Sequence, residues 1–229
     1  MKQLLAVALL LATALAGCGD STDTTTTATT TGADGSSDPC AAITRASLSP
    51  TPAANQTVVT LSTDKGCIVA LLEDQKAPLT VANFKRYASE SFFDNTLFHR
   101  IIKDFMVQTG GMGTDGQFKT PTHAAIKNEA RASGLKNLAY TLSMARGSAA
   151  DSATNQFFIN HHDNAFLDPS GSSAGYAVFG HVVKGNDVVD AIASVPVEAY
   201  NSSKHCQPGD AQPSCPTHDV VLRAVRVLA

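Results

Sequence analysis

Arg100 and Gln108 are the residues through which this sequence could do chemistry. They lie within Phe98-His99-Arg100-Ile101-Ile102-Lys103-Asp104-Phe105-Met106-Val107-Gln108-Thr109-Gly110-Gly111. Apolar residues at 98, 101, 102, 105, 106 and 107 fit neither one helical stripe nor one continuous strand. Two short strands joined near Lys103-Asp104, the second ended by Gly110-Gly111, fit better. Side chains two apart share a face of a strand, so Phe98 is expected beside Arg100, and Met106 beside Gln108. If the two faces coincide, one patch carries a guanidinium, an amide and a soft apolar surface. That combination suits a ligand with an apolar ring next to a polar amide. An ordinary hairpin with an exposed Arg and Gln is the alternative.

Other groupings could suggest different chemistry. Gly171-Ser172-Ser173-Ala174-Gly175 fits the spacing of a hydrolase nucleophile elbow. That motif needs a strand before it and a helix after it. Here Asp168-Pro169 precedes it and the β-like Tyr176-Ala177-Val178-Phe179 follows, so it reads as a Gly/Ser loop. In His161-His162-Asp163 the adjacent imidazoles diverge on a strand end, which fits a solvated turn better than a metal site.

The elements that would carry the patch are mostly strands. Val58-Val59-Thr60-Leu61 and Ile68-Val69-Ala70-Leu71-Leu72 flank the turn Asp64-Lys65-Gly66 and predict a hairpin. Further strands are expected over 137–145, 156–160, 176–183 and 220–228. One helix opens at Ala77-Pro78-Leu79-Thr80, with Thr80 as N-cap and Val81, Phe84 and Ala88 on one face. A second spans 187–193, with Val188, Val189 and Ile192 inward. Many short strands with two helices imply a mainly β fold, a closed barrel with helices at its ends.

The chain ahead of these elements has a different character. Met1-Lys2-Gln3 is a basic head, and Leu4 to Ala16 is apolar except for Thr13. This run has the size of a signal-peptide core and is short for a membrane span. Leu15-Ala16-Gly17-Cys18 resembles the lipobox of bacterial lipoproteins. The resemblance implies cleavage before Cys18 and acylation of it; a plain secretory leader with an incidental Cys18 is the alternative. Residues 1–17 are then the leader. Residues 18–54 form a disordered tether, rich in Ser, Thr, Gly and later Pro, and 55–229 are long enough for one domain with a core. Net charge is −3 with no basic block, which argues against nucleic-acid binding.

The chain has five cysteines. With Cys18 set aside, Cys40, Cys67, Cys206 and Cys215 are an even set in an exported chain, which favours disulfides. Cys206 and Cys215 could close a small loop and leave Cys40 for Cys67, but three connectivities remain open. Zinc, with His205 and His218 nearby, is the competing reading. The C-x2-C spacing of structural zinc sites is missing, so no metal is expected.

Phe98-His99-Arg100, Phe105-Met106, Gln108, Gly110-Gly111, Ser143-Met144-Ala145-Arg146, Asn155-Gln156-Phe157-Phe158-Ile159, Asn164-Ala165-Phe166-Leu167-Asp168 and Tyr176-Ala177-Val178-Phe179-Gly180 together resemble the cyclophilins, most closely the exported bacterial branch. The resemblance runs colinearly over 55–229. It implies an eight-stranded antiparallel barrel capped by two α-helices, and cis/trans isomerisation of X–Pro bonds without metal or cofactor. It implies a catalytic set of Arg100, Phe105 and Gln108, and substrate contacts from Met106, Ala145, Arg146, Phe158, Phe166, Leu167 and Tyr176. Arg146 stands where relatives have an Asn that acts largely through its backbone. Phe166 replaces the Trp, and Tyr176 the His, of well-studied eukaryotic members. Because that Trp contacts cyclosporin, the resemblance implies weak inhibition by the drug. His99, next to Arg100, points to the opposite face and is expected to be structural.

The expected whole is a lipid-anchored, monomeric isomerase outside the bacterial cytoplasm, facing periplasm or exterior, with proline-containing exported polypeptides as clients. A proline-directed binding module or holdase is the alternative; a pure binder would have less need of Arg100.

Overall fold

The structure is a computed structural model that describes residues 37–228. The leader, Cys18 and the Thr-rich part of the tether lie outside the described residues. β1 (Thr57–Thr63) and β2 (Gly66–Leu72) form the expected hairpin, in register from Thr57 opposite Leu72 to Thr63 opposite Gly66. There follow α1 (Pro78–Ser89), β3 (Thr96–Leu97), β4 (Arg100–Ile102), β5 (Met106–Thr109), α2 (Ala130–Ser133), β6 (Thr141–Met144) and β7 (Phe157–Asn160). The chain ends with β8 (Val178–Lys184), α3 (Asn186–Ala193), β9 (Val197–Glu198), β10 (Cys215–Pro216) and β11 (Val221–Leu228). Nine strands make one antiparallel sheet in the order β3-β11-β1-β2-β8-β6-β7-β5-β4, and β9 pairs separately with β10.

The fold is mainly β with few helices, as the sequence implies, and its antiparallel sheet is curled; the one difference is in number, nine strands where eight were expected. The extra strand arises at His99, which interrupts the first arm of the 98–111 hairpin and separates β3 from β4. The sheet curls until its ends meet just beyond β5. There Leu97 N–H donates to Met112 O at 2.8 Å, and Thr96 bridges Gly113. The buried Thr109 hydroxyl adds a 2.9 Å bond to Leu97 O. Because of the break, Phe98 turns into the interior while Arg100 faces a surface cleft. The two do not share a face, contrary to the spacing argument.

Inside the sheet, Phe84 of α1 lies 5.1–5.2 Å, centroid to centroid, from Phe93, Phe157 and Phe179. Such contacts bury large apolar rings within a core whose other members are mostly aliphatic. Thr80 is not the cap of α1. Ala77 holds that position, with Pro78 first in the helix where its missing N–H costs nothing. The free donors are met from a distance: Glu129 accepts from Leu79 N–H (3.1 Å), Thr80 N–H (2.8 Å) and the Thr80 hydroxyl (2.7 Å). A carboxylate there also suits the positive end of the helix dipole. α3 starts after Gly185, at φ +94, and buries Val189, Ile192 and Ala193, with Val188 half-buried.

Residues 40–54, expected in the tether, pack on the β1–β2 hairpin. Cys40 is disulfide-bonded to Cys67, Leu48 is buried against Val58 and Val69, and Arg45 Nη2 donates to Ala53 O (2.7 Å) and Gln56 O (2.9 Å). The folded unit therefore begins well before residue 55. Cys206 pairs with Cys215, so neither thiol is free for zinc. Among the described residues no three His, Cys, Asp or Glu side chains are grouped to hold a metal ion. The Gly171–Gly175 segment is a turn with Ser170 bridged to Ser173, not a strand-to-helix elbow.

His99 is fully buried beneath the closure. Its Nδ1 lies 3.3 Å from Leu97 O, which can only accept, so Nδ1 carries the proton; Nε2 has no partner. Burial pushes its pKa down to about 4 from 6.5. The unfolded chain therefore takes up this proton first as pH falls. The stability this group contributes is complete above pH 6.5 and is lost as pH drops toward 4, to the extent of about 3 kcal/mol. Urea unfolding of the protein and of His99→Leu over that range checks this. The wild-type slope with pH is expected to be clearly steeper; identical slopes would remove His99 as its source.

Candidate active site

β4 and β5 pair with Arg100 opposite Gln108 and Ile102 opposite Met106, so the faces carrying Arg100, Met106 and Gln108 coincide. β7 lies on the other side of β5, with Phe158 opposite Gln108. Strand alternation then sends Phe157 into the interior and Phe158 outward, onto a separate apolar cluster with Ile102, Met106 and Leu167. Phe105, Ala145 and Tyr176 pack against that cluster.

Phe105 is positioned by the turn between β4 and β5. Asp104 takes a left-handed conformation (φ +61), and Phe105 N–H closes back onto Ile102 O at 3.1 Å. Phe105 O then accepts from His161 N–H (2.9 Å) and Asn164 Nδ2 (2.8 Å). The His161 ring braces the same turn, its Nδ1 accepting from Asp104 N–H at 3.0 Å, which absorbs it into structure. Asn164 also donates to Asn160 Oδ1, and Asn160 to the Thr141 hydroxyl, in a buried network that reaches Asn137 and Ser143. Asn137 N–H and Nδ2 donate to Asp168 Oδ1, at 2.9 and 3.0 Å. Burial opposes ionisation of Asp168, but those two donors and Lys136 carry its carboxyl below the usual carboxylate range. The network holds the short helical turn Ala165–Leu167, and with it Leu167, against the cleft.

The cleft has a volume of about 460 Å³ and is lined by Arg100, Phe105, Met106, Gln108, Ala145, Arg146, Phe158, Leu167 and Tyr176. Of the residues expected to contact substrate, only Phe166 does not line it. Its side chain is 72% exposed at the rim, the ring centroid 5.4 Å from that of Phe105. Arg146 lies across the Tyr176 ring, 4.6 Å from its centroid, with Nε donating to Gly175 O at 3.0 Å.

Several lining residues were not singled out from sequence: Gln156, Gly147, Ser152, Thr154 and Gln207. Gln108 Nε2 donates to Gln156 Oε1 at 2.8 Å, so the rim carries two linked amides. Gly111 leaves room for this pair, since a Cβ there would sit 2.5 Å from Gln156 Cγ. Gln156 was visible only as part of its motif. Arg100 is held not by Gln108 but by Asp210: Nε donates to Oδ2 and Nη2 to Oδ1, both at 2.7 Å. Arg100 Nη1 points toward Met106 Sδ (3.7 Å), and the guanidinium carbon is 5.8 Å from the Phe105 ring centroid. Arg100 beside it holds the Asp210 carboxyl below the usual range, with burial opposing and the Ser214 hydroxyl, 2.6 Å away, assisting.

A curled antiparallel sheet whose outer face carries an apolar cleft with a fixed cation and paired amides on its rim defines a cyclophilin-like protein. Comparison with known proteins agrees. The family description "Cyclophilin type peptidyl-prolyl cis-trans isomerase/CLD" matches residues 58–213. A "Peptidyl-prolyl cis-trans isomerase" of Acinetobacter baylyi is 51% identical over 144 residues, 63% of this chain and 76% of that one. "Peptidyl-prolyl cis-trans isomerase B" of Escherichia coli is 46% identical over 173 residues, 74% of this chain and 99% of that one. A solved cyclophilin of Cryptosporidium parvum shares the fold, with TM-score 0.61 and 21% identity over 76% of this chain and 98% of its own. This chain belongs to the cyclophilin-type peptidyl-prolyl cis-trans isomerases.

Phe166 stands at the rim, outside the lining of the cleft, at the position whose Trp the family resemblance ties to cyclosporin. An indole there adds an N–H donor and a larger face. Phe166→Trp is expected to tighten cyclosporin binding by about 30- to 150-fold, the worth of one hydrogen bond plus some apolar area, with little change in kcat/KM. An inhibition titration of both proteins decides it, and equal inhibition constants would show that position 166 does not govern the drug.

Proposed function

We propose that the cleft isomerises X–Pro bonds by stabilising the twisted amide through non-covalent contacts alone. The barrier is loss of amide resonance, about 18–20 kcal/mol, so no bond need break and no nucleophile is required. The observation that carries the reading is Arg100, fixed beside an apolar floor of Met106, Phe158 and Leu167. A proline ring sits on that floor against Phe105. The Gln108 and Gln156 amides hold the flanking backbone. Arg100 donates from Nη1 toward the prolyl nitrogen, whose lone pair localises as the C–N bond turns. This contact strengthens in the twisted state and so lowers the barrier, where an equal grip on both states would only tighten binding. A module that merely bound proline would gain little from a cation immobilised in this way, which favours the enzyme over the holdase.

We further propose that the protein works outside the cytoplasm, anchored through an acylated Cys18, as a monomer acting on exported polypeptides that contain proline. The apolar run ending in Leu15-Ala16-Gly17-Cys18 supports the anchor. The disulfides Cys40–Cys67 and Cys206–Cys215 support an oxidising compartment. One acyl chain holds marginally, and two or more hold firmly.

Arg100→Ala is expected to lower kcat/KM for a prolyl peptide by about 10²- to 10³-fold with the fold intact. A variant within about threefold of wild type, with unchanged circular dichroism, would end the assigned role. For the anchor, mass spectrometry of the mature protein should find an acylated N-terminus at Cys18, lost in Cys18→Ser. An unmodified start elsewhere in the Thr-rich stretch would contradict it.

A further inference from the structure

Arg100 contributes five N–H donors on a long, flexible stem, and a donor helps the reaction only if it is aimed. No side-chain oxygen on its own strand or on β5 aims it: the amide of Gln108, its cross-strand neighbour, is engaged with Gln156, and β5 offers only the weak thioether contact of Met106. We propose that Asp210 is the positioning residue of this active site. Its carboxylate, carried on the loop that Cys206–Cys215 closes, grips one edge of the Arg100 guanidinium and turns the other edge into the cleft. The inference deepens the isomerase reading above and rests on Arg100 having the role given there.

The geometry has three parts. Both carboxylate oxygens are used, Oδ2 on Nε and Oδ1 on Nη2 at 2.7 Å each, a fork-to-fork match that fixes the plane of the guanidinium. Two donors are thereby taken and three are left, both on Nη1 and one on Nη2, with Nη1 directed toward Met106 Sδ over the cleft floor.

The carboxylate is itself held. The Ser214 hydroxyl donates to Oδ2 at 2.6 Å, Ser214 is buried, and its carbonyl accepts from Ile101 N–H at 2.9 Å. That last bond caps the outer edge of β4, the strand that carries Arg100, so loop and arginine share one backbone registration. The disulfide to the buried Cys215 closes the other side of the loop.

Finally, Asp210 does not line the cleft, whereas Gln207 of the same loop does. The carboxylate therefore stands behind the arginine and leaves the substrate's space open. A competing lid would have to occupy that space.

The test is a double-mutant cycle on the full chain, with kcat and KM measured for one prolyl peptide in wild type, Arg100→Ala, Asp210→Ala and the double variant. Asp210→Ala is expected to lower kcat/KM by about 10-fold, chiefly in kcat, and to have no further effect once Arg100 is gone. Asp210→Asn, which keeps the shape and one acceptor, should recover part of the loss and also guards against a folding defect. Cys206→Ser with Cys215→Ser should reproduce the loss and not add to that of Asp210→Ala. Activity at or above wild type in Asp210→Ala would overturn the proposal. So would an equal further loss in the Arg100→Ala background, which would leave the role of Arg100 standing. Wild-type activity in Arg100→Ala would remove that role, and this inference with it.

Discussion

The peptide of Leu97 is where the structure is tied. Its N–H closes the sheet onto Met112, and its carbonyl receives the Thr109 hydroxyl and the His99 ring. Closure at this point leaves no room for one strand to run on through His99. The chain must step, and the step puts Phe98 in the interior and Arg100 outside. Had the first arm been continuous, Arg100 would have followed Phe98 onto one face and entered the aromatic core, where an unpaired guanidinium cannot remain. The outward cation that the chemistry needs is thus a consequence of how the sheet shuts. The buried imidazole lies under the same seam.

Around that seam, sheet and loops are joined by polar side chains used as long-range struts. Glu129 supplies the acceptors that α1 lacks at its start. Asn137, Asn160 and Asn164 connect β6, β7 and the Leu167 turn, and through Phe105 O they tie that turn to the β4–β5 turn that carries Phe105. Each buried amide side chain among the described residues has a partner far from it in sequence, and such partnerships rigidify a site more than apolar contact alone. A cleft that must favour a twisted amide over a planar one benefits from walls that do not follow the substrate.

Much of this was legible in the sequence where it depended on local periodicity. The β1–β2 hairpin, α1, α3 and the two short strands around Lys103-Asp104 follow from alternation and turn residues, which are local properties; that Arg100 and Gln108 fall opposite each other was left open by spacing and is fixed by the register. What failed, failed for non-local reasons. Thr80 has the chemistry of an N-cap, but Glu129 competes for the same donors from across the fold. Phe98 and Arg100 have the spacing of strand neighbours, but closure breaks the strand. Residues 40–54 have the composition of a tether, but Leu48 and the Cys40–Cys67 bridge bind them down. Asp210 gave no sign beyond being the one acid in a loop bounded by cysteines, and its partner lies 110 residues away. Choosing Phe158 over Phe157 for the cleft required the family resemblance, since alternation says only that they differ.

The Cys40–Cys67 bridge also decides how the domain bears mechanical load. A pull on the chain ahead of Cys40 does not reach β1 in sequence, because the covalent shortcut delivers it to β2 at Cys67. The segment between the two cysteines, which includes all of β1, hangs slack in a closed loop. β1 lies between β11 and β2 in the sheet, so peeling it would unzip two ladders at once. Tension is instead shared between a sulfur–sulfur bond and a strand gripped by neighbours on both sides. A fold held by its N-terminal end can thus be tugged without its sheet being undone from that end.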